Sequence, residues 1–325
     1  MAWYFCRVFL SVGRIRSFPV SKGVRLACTA LALGTVAYQA LPNTALLNHV
    51  QSIYQQYNGS APMRVPPDLK ALIMEVLEEV IGPDQRAEIK ANAFIGYSTE
   101  PYLWGSVPGS FQLMLPGTTT YRSQKEFNLS EYRFGAARGN TKLSDVQLES
   151  SDVATFKQSV LLTENAKKFV IARELERGKA DYPVKMSMLT ALNMATGSVL
   201  YDRFVAKFGP APPSPLVLRT AVLMAHVLFW ATLTVLEFDF FRKKTERNID
   251  RGACSHGVGY AQGGIEYYSK VLSRNTALRN LMPNEKGKKL YNLKGEKYPG
   301  FIRRKHVSFQ ERRDICNQAL LEHQS

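Results

Sequence analysis

Arg173, Glu174 and Arg177 form an R-E-x-x-R pattern inside FVIARELERG, Phe169 to Gly178. On a helix, this spacing sets two guanidiniums one turn apart with a carboxylate beside them. Farther along, ERNID places Glu246 four residues before Asp250. Guanidinium has no available lone pair and stays protonated at any ordinary pH, so Arg173 and Arg177 cannot ligate a metal and would repel one. Glu174 then has no metal-bound water to activate as a base. The expected arrangement is a salt-bridge cluster in which Glu174, Glu246 and Asp250 pair with the two arginines. The alternative is a solvated helix face, because Arg and Glu at such spacings are common on exposed helices. Cys254 and His256 flank one serine, but two ligands do not make a tetrahedral site. The sequence has no P-loop, no G-x-G-x-x-G after a strand and no G-x-S-x-G elbow. No cofactor is expected.

The elements that must position these residues are legible in outline. Asp68 to Val80 carries apolar residues at helical spacing and reads as an amphipathic helix. Ala91 to Tyr121, rich in Gly, Pro, Thr and aromatics, reads as short strands and turns. Two helices follow, one opening at Ser151 and Asp152 and one after Thr163. Val258, Ala261, Ile265, Tyr268 and Leu272 predict a further helix. Ser308 and Glu311 have capping-box spacing for a last helix running through Leu321. The four cysteines, Cys6, Cys28, Cys254 and Cys316, are read as thiols rather than a disulfide scaffold.

Charge and hydropathy place this body at a membrane. The chain of 325 residues has a formal net charge of +15. No acidic residue precedes Asp68, while Arg7, Arg14, Arg16, Lys22 and Arg25 lie among aromatics and serines. Residues 1–25 therefore have the composition of a mitochondrial transit peptide, or of a positive flank that orients the first span. Spans are expected at 26–47, 184–205 and 216–238, the second short and the third the strongest despite Arg219 and His226. The linker GPAPPSP, Gly209 to Pro215, makes the last two a hairpin. The body, 68–182, and the basic tail, 242–325, then lie on one side and can pack together. The tail charge, from Arg242, Lys243, Lys244, Arg247 and Arg251 to Arg312 and Arg313, suits anionic headgroups, cardiolipin included, better than nucleic acid, for which no binding motif is present. The fold class is a multi-pass α-helical membrane protein with an α+β body.

FVIARELERG resembles the zinc helix of membrane metallopeptidases of the HtpX and CAAX-prenyl protease kind, with Arg173, Glu174 and Arg177 at the positions of H-E-x-x-H. Asn92 to Phe94 (NAF), the lead-in TENAKKFVIA, the pair of spans and ERNID extend that outline over roughly 90–272. The resemblance implies a degenerate membrane metallopeptidase-like fold. More closely, AKKFVIARELERG, YAQGGIEYYSKVLSRNTALRNLMPNEKGKKLY and IRRKHVSFQERRD resemble the transmembrane protein 177 family of the mitochondrial inner membrane, closest over Tyr260 to Asp314. That resemblance implies a non-catalytic accessory factor in cytochrome c oxidase biogenesis. It would stabilise the membrane chaperone of newly made subunit 2, alongside the copper-delivery factors. It also suggests that Gly263, Gly264, Glu266 and Tyr267 form a partner or packing surface, close helix packing being preferred for the glycines. The alternative function is a membrane-bound peptidase or hydrolase with a noncanonical site, and a third is a ribosome or lipid tether.

Overall fold

The computed structural model describes residues 30–325 apart from 31–32, 35, 39, 83–88, 108, 124–125, 127–149, 209–215, 283–284 and 300–302. The expected leader, 1–25, and the linker Gly209 to Pro215 lie outside the described residues, as does much of the first expected span. The elements in chain order are α1 (Leu47–Tyr54), β1 (Tyr57–Asn58), β2 (Ala61–Pro62), α2 (Pro67–Ile81), β3 (Lys90–Gly96), β4 (Tyr102–Gly105), β5 (Ser110–Pro116), α3 (Ser151–Val160), α4 (Glu164–Lys179), α5 (Tyr182–Phe208), α6 (Leu216–Cys254), α7 (Val258–Leu281), α8 (Lys286–Leu290) and α9 (Phe309–Gln324). The described residues fall into two compact units, one of those within 43–181 and 242–325, the other of those within 30–42 and 182–241. Body and tail thus belong to one unit.

In that larger unit a three-stranded sheet, ordered β3, β5, β4, has β3 parallel and β4 antiparallel to the central β5. One face packs on α2 and α4 through Ile95, Leu103, Phe111, Leu113 and Leu115. The other packs on α1 through Phe94, Trp104 and Met114 against Leu47 and Val50. The alternation of β5 across both clusters is that of a strand buried on two sides. α2 begins with Pro67 in its first turn and buries Leu69, Leu72, Ile73, Val76, Leu77 and Val80, the stripe its periodicity predicts. Each such side chain contributes about 1.5–3 kcal/mol by leaving water. α7 packs on α3, α4 and α9. Enclosure on several sides moves its buried set off the predicted stripe: Val258 is exposed, and Tyr260, Gly263, Gly264 and Tyr267 are buried. α1 and the two-residue strands β1 and β2 fall between the expected first span and body. The chain forms a 3-10 turn at Leu41–Asn43 and restarts as α1.

α3 opens at Ser151 as expected, and Ser150 caps it by accepting from the Val153 N–H (3.4 Å). Ser308 caps α9 through the Glu311 N–H (3.1 Å), but Glu311 does not close a capping box. It pairs with Arg247 (2.7 Å), and Glu296 accepts the Phe309 and Gln310 N–H groups instead (3.1 and 2.6 Å). A free carboxylate at a helix start serves the macrodipole equally well from a loop.

In the smaller unit, α5 and the first part of α6 lie antiparallel. The Asn193 amide donates to Thr234 (3.4 Å) and Glu237, while His226 Nε2 lies 3.0 Å from the Gly197 carbonyl oxygen. Gly197 admits the Trp230 ring, whose nearest atom would stand 3.2 Å from an added Cβ. Small residues and buried amides at a helix crossing are how helices associate in lipid. Among the described residues, α6 alone is both long and apolar enough to cross a bilayer. Its outer surface carries Met224, Leu228 (62% exposed), Phe229 and Leu236, too large an apolar area to leave in water. α5, of 27 residues, spans about 40 Å, but carries Lys185, Asp202, Arg203 and Lys207 near its ends. The protein is mostly helical with a small sheet.

Candidate functional site

α4 runs through the middle of the larger unit, with Ala166, Phe169, Val170, Ile171, Ala172 and Leu175 buried. Its start is fixed by the Thr163 hydroxyl, which accepts from the Ala166 N–H (3.3 Å) and donates to Glu266 of α7. Glu266 also accepts the Thr163 N–H (3.1 Å) and pairs with Lys270 (2.6 Å). Burial opposes its charge, but Lys270 and Thr163 together hold the carboxyl below the usual glutamate range.

With α4 so placed, Arg173 and Glu174 cannot reach solvent. Glu174 is fully buried; one oxygen accepts from Arg173 Nη1 (2.7 Å), and the other stands 3.0 Å from Arg177 Nη1 as an ion pair without a hydrogen bond. Arg173 Nε donates to Asp250 Oδ1 (3.1 Å) near the end of α6. Asp250, also fully buried, accepts Arg312 of α9 through Nε on Oδ2 (2.6 Å) and Nη2 on Oδ1 (2.9 Å). The Tyr268 hydroxyl of α7 completes the cluster by donating to Oδ1 (2.6 Å). Four helices meet here, each through a charge or hydroxyl. Burial works against the charge on both guanidiniums, and Arg173 also opposes that of Arg312, but Tyr268, Glu174 and Asp250 raise Arg173, and Asp250 and Tyr268 raise Arg312, above the ordinary arginine value. Burial pushes the Tyr268 phenol well up, so it remains a donor. Arg177 is half-buried and its guanidinium stands over the Tyr102 ring at 5.1 Å.

Of the five residues expected in one cluster, the structure brings Arg173, Glu174, Arg177 and Asp250 together and places Glu246 elsewhere. One turn of α6 separates Glu246 from Asp250. At that level the loop before α9 approaches instead of α4, so Glu246 pairs with His306 Nδ1 (2.6 Å) and accepts the Val307 N–H (2.9 Å). Burial works against its charge, but His306, Arg312 and the Val307 amide lower its pKa to about 2. Its contribution to stability is therefore full above the ordinary glutamate range and lost as pH falls from about 4.5 through about 2, a loss of about 3 kcal/mol. Denaturant midpoints should fall across that window, and Glu246→Gln should be weaker at neutral pH and flatter below pH 4.5; a variant with the wild-type slope would refute this assignment.

Sequence reasoning missed Arg312, which it placed with the headgroup-facing cations of the tail. Its side chain is 7% exposed and committed to Asp250. The signal was present: Arg312, Cys316 and Ala319 recur at helical spacing and are the buried residues of α9. Gly263, Gly264 and Tyr267 are buried and form a packing seam. A Cβ on Gly263 would stand 2.1 Å from the Asn165 carbonyl oxygen, and one on Gly264 2.6 Å from Cys316 Sγ. Gly263→Ala should therefore cost about 1–3 kcal/mol by overpacking, while Gly259→Ala, whose nearest neighbour would be at 3.4 Å, should be nearly neutral in the same thermal unfolding assay.

Among the described residues no three His, Cys, Asp or Glu side chains converge as a metal site. The donor set at the zinc-helix position, two guanidiniums around one carboxylate, does not fit zinc. His256 pairs with Glu176 (3.1 Å), and Cys254 is buried.

No protein-family model matches the sequence. Whole-length relatives do. Transmembrane protein 177 of Danio rerio is 24% identical over 297 residues, covering 89% of this chain and 90% of that protein. The Xenopus laevis protein of that name is 24% identical over 307 residues (93% and 94%), and the Mus musculus protein 26% over 302 residues (90% and 89%).

Proposed function

We propose, from the premise that this chain belongs to the transmembrane protein 177 family, that it is a non-catalytic assembly factor of the mitochondrial inner membrane. In this reading it stabilises the membrane chaperone of newly made cytochrome c oxidase subunit 2, in company with the copper-delivery factors. The observation that carries the non-catalytic part is the lock of Arg173, Glu174, Asp250, Tyr268 and Arg312. Where a zinc peptidase would hold metal and water, this chain holds a fully buried network whose carboxylates are committed to guanidiniums. Such a network joins helices and offers no open coordination position.

The membrane part of the reading is multi-pass: spans at 26–47, 184–205 and 216–238, the last two a hairpin. A basic leader retained in the matrix puts body and tail in the intermembrane space. Tail cations outside the lock, such as Lys243 and Lys244, are left for anionic headgroups. Protease treatment of mitoplasts checks the side directly, since a body in the matrix would be protected.

The assembly role is tested by affinity purification of the tagged protein from gently solubilised mitochondria, read by mass spectrometry beside Glu174→Gln. Subunit 2 and its assembly factors should co-purify with both forms. Their absence, or substrates accumulating on the variant alone, would sink the scaffold reading in favour of the peptidase.

A further inference from the structure

Among the described residues, the three-stranded sheet of the larger unit is left open along part of one edge. β3 is an outer strand, and its ladder with β5 begins with the Lys90 N–H donating to the Gly109 carbonyl oxygen (3.1 Å). By the alternation of a parallel ladder, Lys90, Asn92 and Phe94 bond inward, while Ala91, Ala93 and Ile95 direct their N–H and C=O groups away from β5. The Ile95 carbonyl oxygen is taken by the Gln56 N–H (2.8 Å). Ahead of it, Ala91 and Ala93 face a groove of about 400 Å³ instead of a strand.

The groove has two unlike walls. Gln51 of α1 and Gln55, just after it, stand on one side, and Ile73 and Met74 of α2 on the other. A strand laid beside β3 would put alternate side chains against each wall, polar toward the glutamines and apolar toward α2. Arg64 and Lys70 also line the opening, where the described residues include no acidic side chain. Nothing described pairs with either cation. We infer that this edge docks an extended, acidic segment of a partner protein, which joins the sheet as a fourth strand through main-chain bonds to Ala91 and Ala93. Open edges are otherwise a liability that folds cover or blunt, and strand addition with alternate side-chain pockets is an established way of reading an extended peptide. The inference stands on the groove alone and is independent of the assembly role.

The probe is a fluorescein-labelled nine-residue peptide of alternating valine and glutamate, titrated by anisotropy against the full-length protein in detergent. Binding should weaken at least tenfold with Ala91→Pro, which removes one outward N–H and leaves the inward bonds intact. Met74→Glu, at a position already 37% exposed, should weaken it similarly without unfolding the chain. In hydrogen exchange, the Ala91 and Ala93 amides should gain protection when the peptide is bound. The inference is overturned by no binding at millimolar peptide, by equal affinity for the valine and lysine analogue, or by affinity unchanged in both variants. It is overturned equally if the wild-type chain dimerises and Ala91→Pro makes it monomeric, since the occupant would then be a second copy.

Discussion

Asp250→Ala should destabilise the larger unit by about 3–5 kcal/mol, the range for removing one member of a buried ion network. The variant leaves Arg173 and Arg312 buried, charged and facing each other, because neither guanidinium can shed its proton. It also strips the Tyr268 hydroxyl of its acceptor. The same residue holds α6 to α4, α7 and α9, so a loss there should lower cooperativity as well as midpoint. Urea unfolding followed by near-ultraviolet circular dichroism measures it. Adding Arg173→Met, Glu174→Leu and Arg312→Met to Asp250→Ala should recover most of the loss, since apolar side chains of similar volume can replace such networks with little penalty. A single-variant cost below about 1 kcal/mol, the range of exposed pairs, would mean that the cluster is wet and contributes little.

Leu228→Lys should block stable membrane insertion of α6. Leu228 lies midway along the 216–238 segment and is 62% exposed. A lysine at the centre of a membrane helix costs about 2.5–3.5 kcal/mol on insertion scales, roughly a hundredfold in the insertion equilibrium. Alkaline carbonate extraction should release a much larger share of the variant than of the wild type. If α6 were a solvent-facing helix, the same substitution would be neutral within about 0.5 kcal/mol and improve solubility, so the two environments predict opposite signs.

The parts of this fold legible in the sequence are those where one local rule governs. The six apolar residues of α2 recur at helical spacing because only one face is covered, and the structure buries those same six. Thr163 and Ser308 are caps because a hydroxyl at those positions reaches the third N–H of the helix. Legibility fails where tertiary neighbours decide. α7 is enclosed by α3, α4 and α9, so its glycines and tyrosines, not a single stripe, form its buried surface. Glu311 has the spacing of a capping box, but Arg247 claims it. Glu246 and Asp250 share a face of α6, yet 246 meets the loop before α9 and 250 meets α4.

The site divides along the same line. Arg173, Glu174 and Asp250 were expected to pair because guanidinium and carboxylate must neutralise each other once buried. Arg312 was hidden in a basic run, IRRKHVSFQERRD, whose composition suggests a charged surface. Only its place at one end of a Cys316 and Ala319 stripe marks it as internal. Buried charge is specified by helix phase, which a composition count does not see.

The most direct measurement is complementation of cells lacking this protein by a chain carrying Arg173→Met, Glu174→Leu, Asp250→Leu, Tyr268→Phe and Arg312→Met, with subunit 2 of cytochrome c oxidase as the readout. The variant removes two cations and two anions from the lock, leaving its net charge unchanged, and keeps its volume near the original. If the cluster is a structural lock in an assembly factor, the variant reaches wild-type abundance in the membrane and restores subunit 2. A variant that is folded, inserted and abundant, but leaves subunit 2 depleted, would contradict that account and assign the charges a chemical role.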